Sequence, residues 1–121
     1  MPADQAIDGA RYAVIVVTYR REEAVARTLA AIEAQTVGRD AMEICVVDNG
    51  GASGLRRRLE SRVDGWIDPG ENLGCSGGRN RGVAETRAPV VVFIDDDGIP
   101  AEDFVERLGA AFERHPDALA V

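Results

Sequence analysis

Short apolar runs alternate with segments of helical periodicity along almost the whole of this 121-residue chain, and this alternation restricts its folds. The apolar runs are rich in Val and Ile, which is typical of buried strands. The predicted strands cover residues 12–17, 42–47, 65–68 and 89–94, and a further strand begins at 118–121. The predicted helices cover residues 21–35, 52–62, 76–87 and 100–114. Strands and helices that alternate over short links predict right-handed βαβ units, and so an α/β fold with three α/β/α layers around a mostly parallel sheet.

The composition is that of one globular domain and excludes several classes of protein. Hydrophobic residues make up 45% of the chain and the formal net charge is −7, which argues against a protein that coats nucleic acid. No stretch approaches the roughly 20 apolar residues of a membrane span, and the first residues lack the pattern of a signal peptide. Cys45 and Cys75 have no metal-site spacing, and we expect free thiols rather than a disulfide in a cytoplasmic protein.

Polar residues follow three of the predicted strands at the point where each strand ends. Thr18 and Tyr19 follow the first strand, Asp48 closes the second, and three consecutive aspartates at 95–97 follow the strand at 89–94. The carboxyl ends of parallel strands meet at one edge of a sheet, and α/β proteins bind their ligands there. The sequence therefore predicts a binding crevice at this edge.

The three aspartates, Asp95, Asp96 and Asp97, are the strongest candidate site. Their charges repel one another unless solvent, basic groups or a metal ion offset them. Side chains alternate along a strand, so Asp95 and Asp97 point the same way and Asp96 points the other way if the extended backbone continues. Two carboxylates on one side are plausible oxygen ligands for Mg²⁺ or Mn²⁺. The alternative is a solvated acidic turn before the next helix, favoured by Gly98 and Pro100.

A glycine-rich segment at residues 72–82 is a candidate anion site. Glycines at the junction of a loop and a helix let backbone N–H groups approach a phosphate, and Arg79 and Arg81 could add charge-assisted bonds. The alternative is an ordinary tight turn or a close-packing surface, and the pattern is not that of a P-loop.

Two further residues and the only histidine have alternative interpretations. Asp48 either accepts hydrogen bonds from a nucleobase or ribose, or it caps the helix that follows it or makes an Asx-turn. Tyr19 either stacks on a base or is a half-buried tyrosine at a strand end. His115 lies near a helix C-terminus, and a single histidine supports neither a catalytic triad nor a zinc site.

Taken in order, these motifs resemble those of the family 2 glycosyltransferases of GT-A fold. The matching segments are VVTYRR at 16–21, VVDNG at 46–50, NLG at 72–74 with GGRNRG at 77–82, and FIDDD at 93–97. Each motif is weak alone, whereas four in the family's order and spacing are specific, and the resemblance covers roughly residues 12–121. It implies a Rossmann-like GT-A fold, in which residues 11–121 form the nucleotide-sugar (donor) binding part and residues 1–10 are an N-terminal extension.

The resemblance also implies roles for individual residues. The residues implied to bind the nucleotide are Thr18, Tyr19, Asp48, Asn72, Gly74, Arg79, Asn80 and Asp95. The aspartates correspond to the family's DXD element, in which the first approaches the ribose or sugar and the last holds a divalent cation. Mn²⁺ or Mg²⁺ would thus be held by Asp97, with Asp95 and Asp96 as further candidate ligands.

The implied activity is inverting transfer of a sugar from a nucleoside-diphosphate sugar to a glycan, lipid or protein acceptor, as in cell-wall or polysaccharide biosynthesis. It would take place in the cytoplasm, either free or at the inner membrane surface. Family members are usually longer and carry the acceptor site and the general base in a later half, so we assign no catalytic residue and expect a chain truncated at its C-terminus.

Two alternatives remain beside this interpretation. One is a non-catalytic remnant that binds a nucleotide or a partner chain. The other is a nucleotidyltransferase-like sugar activator, which is disfavoured because no glycine follows the first predicted strand. In either case the unfinished strand at 118–121 predicts an open sheet edge and self-association through it.

Overall fold

Four parallel strands form one sheet within residues 9–51 and 53–121, the part of the chain that the computed structural model describes. The strands are β1 (Tyr12–Thr18), β2 (Met42–Asp48), β3 (Gly65–Ile67) and β4 (Val90–Phe93), in the order β3-β2-β1-β4. The predicted N-terminal extension at 1–10 lies outside the described residues except for Gly9 and Ala10. The long apolar runs thus predicted β1 and β2 to within one residue.

Four α-helices connect and follow these strands. They are α1 (Glu22–Glu33), α2 (Ser53–Leu59), α3 (Gly74–Glu85) and α4 (Phe104–Arg114). Single 3₁₀ turns precede β2 at Arg39–Ala41 and follow α2 at Glu60–Arg62. None of the helices in the described part of the chain has both the length and the apolar content needed to cross a membrane.

The sheet has a core on each face, and this confirms the predicted three-layer α/β/α architecture. On one face Val14 and Val16 of β1 pack with Val25 and Leu29 of α1, and α2 and α4 complete the same cluster. Each such side chain contributes about 2 kcal/mol when it is fully removed from water. On the other face Ile15, Cys45, Val47 and Ile67 form a smaller cluster beneath α3.

Helix α3 approaches β1 through glycines instead of large side chains. Gly78 and Gly82 are buried, and they lie one turn apart on the same face of the helix. A Cβ atom added at Gly78 would lie 2.6 Å from Val17 Cγ1, and one added at Gly82 would lie 2.7 Å from Ile15 Cγ2. These two glycines are therefore packing residues, as in the second interpretation of the glycine-rich segment.

The predicted strand at residues 118–121 is wrong. A turn at Pro116–Asp117 precedes this segment, and the N–H of Ala118 donates to the carbonyl of His115 at 2.9 Å. Residues 118–121 lie beside β4 without forming a ladder with it. β4 is therefore the edge strand on this side of the sheet, and self-association through its edge stays a prediction.

Helix α4 begins at Phe104, four residues later than predicted. The side chain of Gln35, in the loop after α1, bonds to the backbone on both sides of this start. Gln35 is 3% exposed; its amide nitrogen donates to the carbonyl of Ala101 at 2.7 Å, and its amide oxygen accepts from the N–H of Val105 at 3.0 Å. The buried residues of α4 are Val105 and Gly109, whereas Phe104, Leu108, Ala111 and Phe112 are only partly buried.

Candidate functional site

The carboxyl ends of β1, β2 and β4 border an open cavity of about 490 Å³, as the sequence predicts for this edge of the sheet. We call it the edge cavity, and the residues that line it are Val17, Thr18, Tyr19, Arg21, Asn49, Asn72, Gly74, Cys75, Asp95, Asp96 and Asp97. A second cavity of about 410 Å³ adjoins it and shares Tyr19, Asn49 and Asn72. Residues from four separate segments of the chain thus meet at one place.

The acidic triplet forms a turn instead of continuing β4. The strand ends at Phe93, and the N–H of Gly98 donates to the carbonyl of Asp95 at 2.8 Å. The side chain of Asp96 points inward, is 13% exposed, and accepts a hydrogen bond from the hydroxyl of Thr18 at 2.9 Å. The premise of an extended backbone, from which Asp95 and Asp97 were expected to share one side, therefore does not hold.

Two arginines on opposite sides of the sheet pair with the outer carboxylates. Arg79 of α3 lies 3.2 Å from Asp95, and Arg21, next to α1, lies 3.3 Å from Asp97. Asp95 and Asp97 are 71% and 61% exposed, so both remain open to a ligand. Ion pairs this exposed contribute little to stability. The triplet still carries one more negative charge than these two arginines offset.

Asp48 occupies the turn that the alternative interpretation gave it. Its side chain is 1% exposed, and Oδ1 accepts hydrogen bonds from the N–H groups of Gly50 and Gly51, both at 3.1 Å. Gly51 has a φ of +63°, a conformation that favours glycine. A contact between Asp48 and a nucleobase stays a prediction, because Asp48 lies beneath the turn and does not line either cavity.

Asn49 belongs to the VVDNG motif and was expected at this edge, but no role of its own was predicted for it. It is 7% exposed; its Nδ2 donates to the carbonyl of Gly74 at 3.0 Å, and its Oδ1 accepts from the N–H of Leu73 at 3.2 Å. These two bonds fasten the glycine-rich loop to the end of β2. Its position beside Asp48, in a turn closed by Gly50 and Gly51, was the available signal.

The glycine-rich loop contributes its N-terminal half to the edge cavity. Asn72 Oδ1 accepts from the N–H of Gly74 at 2.9 Å, and Gly74, with a φ of +74°, begins α3. Gly74 and Cys75 therefore place the start of a 12-residue helix on the cavity wall, and helix N-termini favour negative charge. Asn80 is exposed on α3 and does not line either cavity.

Tyr19 lines both cavities, and Arg20 lines the second one. Tyr19 is 44% exposed, and the guanidinium of Arg20 lies 5.0 Å from the centroid of its ring. Arg20 has a φ of +57°, which costs free energy for a residue with a side chain and is frequent at functional sites. A stacking role for Tyr19 stays a prediction.

The two cysteines have opposite environments and are both free, as predicted. Cys75 is exposed at the edge cavity, whereas Cys45 is buried in the centre of β2. Burial, with smaller contributions from Glu85 and Glu43, raises the pKa of the Cys45 thiol to about 12. Cys45 is therefore a neutral, inert thiol near neutral pH.

Comparisons with known proteins agree with these motifs. A family model described as Glycosyl transferase family 2 matches residues 13–121. Two relatives come from Haloferax volcanii. Glycosyltransferase AglE is 28% identical over 99 residues, which are 78% of this chain and 33% of the relative. A glucosyl-dolichyl phosphate glucuronosyltransferase is 32% identical over 119 residues, which are 92% of this chain and 37% of the relative. The chain thus spans about a third of the length of these relatives.

Solved structures of glycosyltransferases have the same fold. S. aureus TarS 1–349 in complex with UDP-GlcNAc superposes with a TM-score of 0.78 at 21% identity, over 88% of this chain and 32% of that one. The mannosyltransferase PcManGT from Pyrobaculum calidifontis, in complex with GDP-Man and Mn²⁺, superposes with a TM-score of 0.74 at 26% identity, over 84% of this chain and 32% of that one. The predicted GT-A fold is confirmed.

Proposed function

The chain belongs to glycosyl transferase family 2, and from this premise we propose that residues 11–121 bind the donor, a nucleoside-diphosphate sugar, at the edge cavity. One observation carries the proposal: the acidic turn (residues 95–98), Arg21 and the N-terminus of α3 meet at one cavity at the carboxyl edge of the sheet, and Arg79 joins them through its ion pair with Asp95. A nucleoside diphosphate and a divalent cation together match this arrangement of charges. The ligands named for the TarS and PcManGT structures are nucleotide sugars and support the proposal.

The residues divide into three groups along the proposed ligand. Tyr19, with Thr18 and Asp48 behind it, borders the nucleobase. The loop around Asn72 and Gly74 and the N-terminus of α3 face the diphosphate, where backbone N–H groups suit an anion. Arg79, held 4.9 Å above the ring of Phe93, is placed to move between Asp95 and the ligand. Asn80 lies on the exposed side of α3 and lines neither cavity, and its contact with the nucleotide stays a prediction.

A divalent cation fits the acidic turn only together with the diphosphate. In the described ranges 9–51 and 53–121, no three His, Cys, Asp or Glu side chains gather into a metal-ligand cluster. Mg²⁺ and similar hard cations need only one or two carboxylates when substrate phosphates supply further oxygens. Asp97 and Asp95 are exposed carboxylates and could do this, whereas Asp96 is engaged with Thr18. When bound, the cation would stabilise negative charge on the leaving nucleoside diphosphate.

We propose the transfer reaction itself on the ground that the chain belongs to this family. Inverting transfer needs a base that deprotonates the acceptor hydroxyl, and no described residue is assigned to that role. Asp95 and Asp97 are paired with arginines and face the donor, so their geometry suits binding and charge neutralisation. The acceptor, whether glycan, lipid or protein, is not defined by these residues.

Isothermal titration tests the binding proposal directly. UDP, GDP and dTDP are titrated into the folded chain with Mn²⁺, with Mg²⁺ and with EDTA. We expect saturable binding of at least one nucleotide, and its affinity should fall when EDTA removes the cation. A folded chain that produces no heat with any of the three nucleotides would sink the proposal.

Cys75 gives a second, spectroscopic test at the same cavity. At about pH 8 Ellman's reagent should titrate one thiol quickly, because Cys75 is exposed, whereas Cys45 is buried and its raised pKa keeps that thiol protonated. A bound nucleotide should slow this labelling in proportion to the occupied fraction, since Cys75 lines the edge cavity. Cys75→Ser should abolish the fast phase, and a salt of equal ionic strength should give no protection. Unchanged labelling at nucleotide saturation would contradict a site beside Cys75.

A further inference from the structure

A buried threonine of α1 makes hydrogen bonds to the backbone of the acidic turn. Thr28 is 0% exposed, and its hydroxyl lies 2.9 Å from the carbonyl oxygen of Asp96 and 2.8 Å from that of Gly98. A hydroxyl has one proton to donate, so the two carbonyls share it. These carbonyls lie on either side of Asp97 in the sequence, and the hydroxyl therefore spans the tip of the turn.

The other bonds of the turn leave Asp97 without a fixed direction. The bond from the N–H of Gly98 to the carbonyl of Asp95 closes the turn, and the bond from Thr18 fixes the side chain of Asp96. Asp97 itself is 61% exposed, and its partner Arg21 is 58% exposed. Such an ion pair orients a side chain weakly. The bonds from Thr28 are the buried contacts that set the peptide groups around Asp97.

We propose that Thr28 is a positioning residue for the acidic turn: its buried hydroxyl fixes the backbone on both sides of Asp97 and so aims this carboxylate at the edge cavity. The inference rests on the proposed function, in which Asp97 holds the divalent cation. Metal ligands must be held to within about 0.5 Å of a productive geometry. Residues that orient a ligand without touching the metal typically change metal affinity by 10–100-fold.

The structure supplies a conservative variant and a matched control. Thr28→Val keeps the shape of the side chain and removes the hydroxyl, whereas Thr28→Ser keeps the hydroxyl. Gln35 is the control because it also makes buried hydrogen bonds to the backbone. It lies in the loop after α1, and its partners, Ala101 and Val105, follow the acidic turn in the sequence. Gln35→Met should lower the melting temperature without touching the acidic turn.

Two measurements separate positioning from general stability. The first is the NMR spectrum of the backbone amides in the metal-free chain. Thr28→Val should shift the amide resonances of Asp97 and Gly98 in this spectrum. The second is Mn²⁺ affinity, followed by electron paramagnetic resonance of free Mn²⁺ in the presence of saturating UDP, GDP or dTDP. We expect Thr28→Val to weaken Mn²⁺ binding about 10–100-fold, with nucleotide affinity in EDTA unchanged and with Thr28→Ser close to wild type.

Each outcome decides between the two proposals. Wild-type Mn²⁺ affinity in Thr28→Val, or an equal loss in Gln35→Met, overturns the positioning role and leaves the proposed function standing. A wild-type chain that binds none of the three nucleotides overturns the proposed function. In that case the amide spectrum alone tests the positioning role of Thr28. Unmoved resonances of Asp97 and Gly98 in Thr28→Val overturn the positioning role in either case.

Discussion

Replacing Asp97 with asparagine should remove the Mn²⁺-dependent part of nucleotide binding while the fold stays intact. Asparagine keeps the shape of the side chain but removes the negative charge, and the affinity of an oxygen-ligand site for a divalent cation falls as its ligands lose charge. Loss of a ligand should cost at least about 100-fold in Mn²⁺ affinity, since loss of an outer partner already costs up to that much. The ion pair with Arg21 is exposed and contributes little to stability, so the melting temperature should not change.

Titration of nucleotide with Mn²⁺ and with EDTA measures this prediction. Asp117→Asn is the matched control, because it makes the same change of charge at an exposed position that does not line the edge cavity. Asp96→Asn provides the contrast: it alters a mostly buried acceptor of Thr18 and should lower the melting temperature more than Asp97→Asn does. If Asp97→Asn retains the wild-type response to Mn²⁺, Asp97 does not hold the cation.

The strands β1 and β2 could be predicted well because each appears in the sequence as one continuous apolar run. In β1 and β2 every residue but Val17 is buried, and such strands appear as continuous runs of apolar residues. Parallel strands also bring their carboxyl ends together, so the location of the edge cavity followed from the order of elements. The family motifs then supplied the identity of the ligand class, which the apolar pattern alone does not contain.

The geometry of the acidic triplet could not be predicted in the same way. Alternation of side chains assumes an extended backbone, and β4 ends at Phe93 because Thr18 and Thr28 bond to Asp96 and Gly98 and impose a turn. Each of these bonds joins residues about 70 or more positions apart, and no local pattern announces them. The start of α4 was misjudged for the same reason.

The glycine-rich segment has two different roles, lining the edge cavity and packing α3 against β1, and the sequence motif does not distinguish them. Gly74 at its start belongs to the edge cavity, whereas Gly78 and Gly82 further along α3 allow the helix to lie against Val17 and Ile15. The spacing of four residues between the latter two was a helical signal in the sequence. Composition alone, with many glycines in a short span, gave no reason to separate them.

Replacing Gly82 with valine should destabilise the chain strongly, because α3 has no room for a side chain above β1. Even a Cβ atom would lie 2.7 Å from Ile15 Cγ2 and 3.3 Å from its Cδ1, and Ile15 is 1% exposed. Overpacking of this kind costs typically 1–3 kcal/mol and occasionally more, and we expect about 3 kcal/mol in the free energy of unfolding. Gly54→Val is the matched control in α2, where nothing lies within 4 Å of the added atom.

Urea unfolding of both variants and of a double mutant decides whether the contact with Ile15 is the cause. Gly54→Val should stay within about 0.5 kcal/mol of wild type. Ile15→Ala alone should cost about 2–5 kcal/mol as a cavity, but in the Gly82→Val background it also makes room for the new side chain. The cycle should therefore show a favourable coupling of about 1 kcal/mol or more. Purely additive losses would mean that α3 does not rest on β1 at Gly82, and the placement of Arg79 and Cys75 on the same helix would then need another cause.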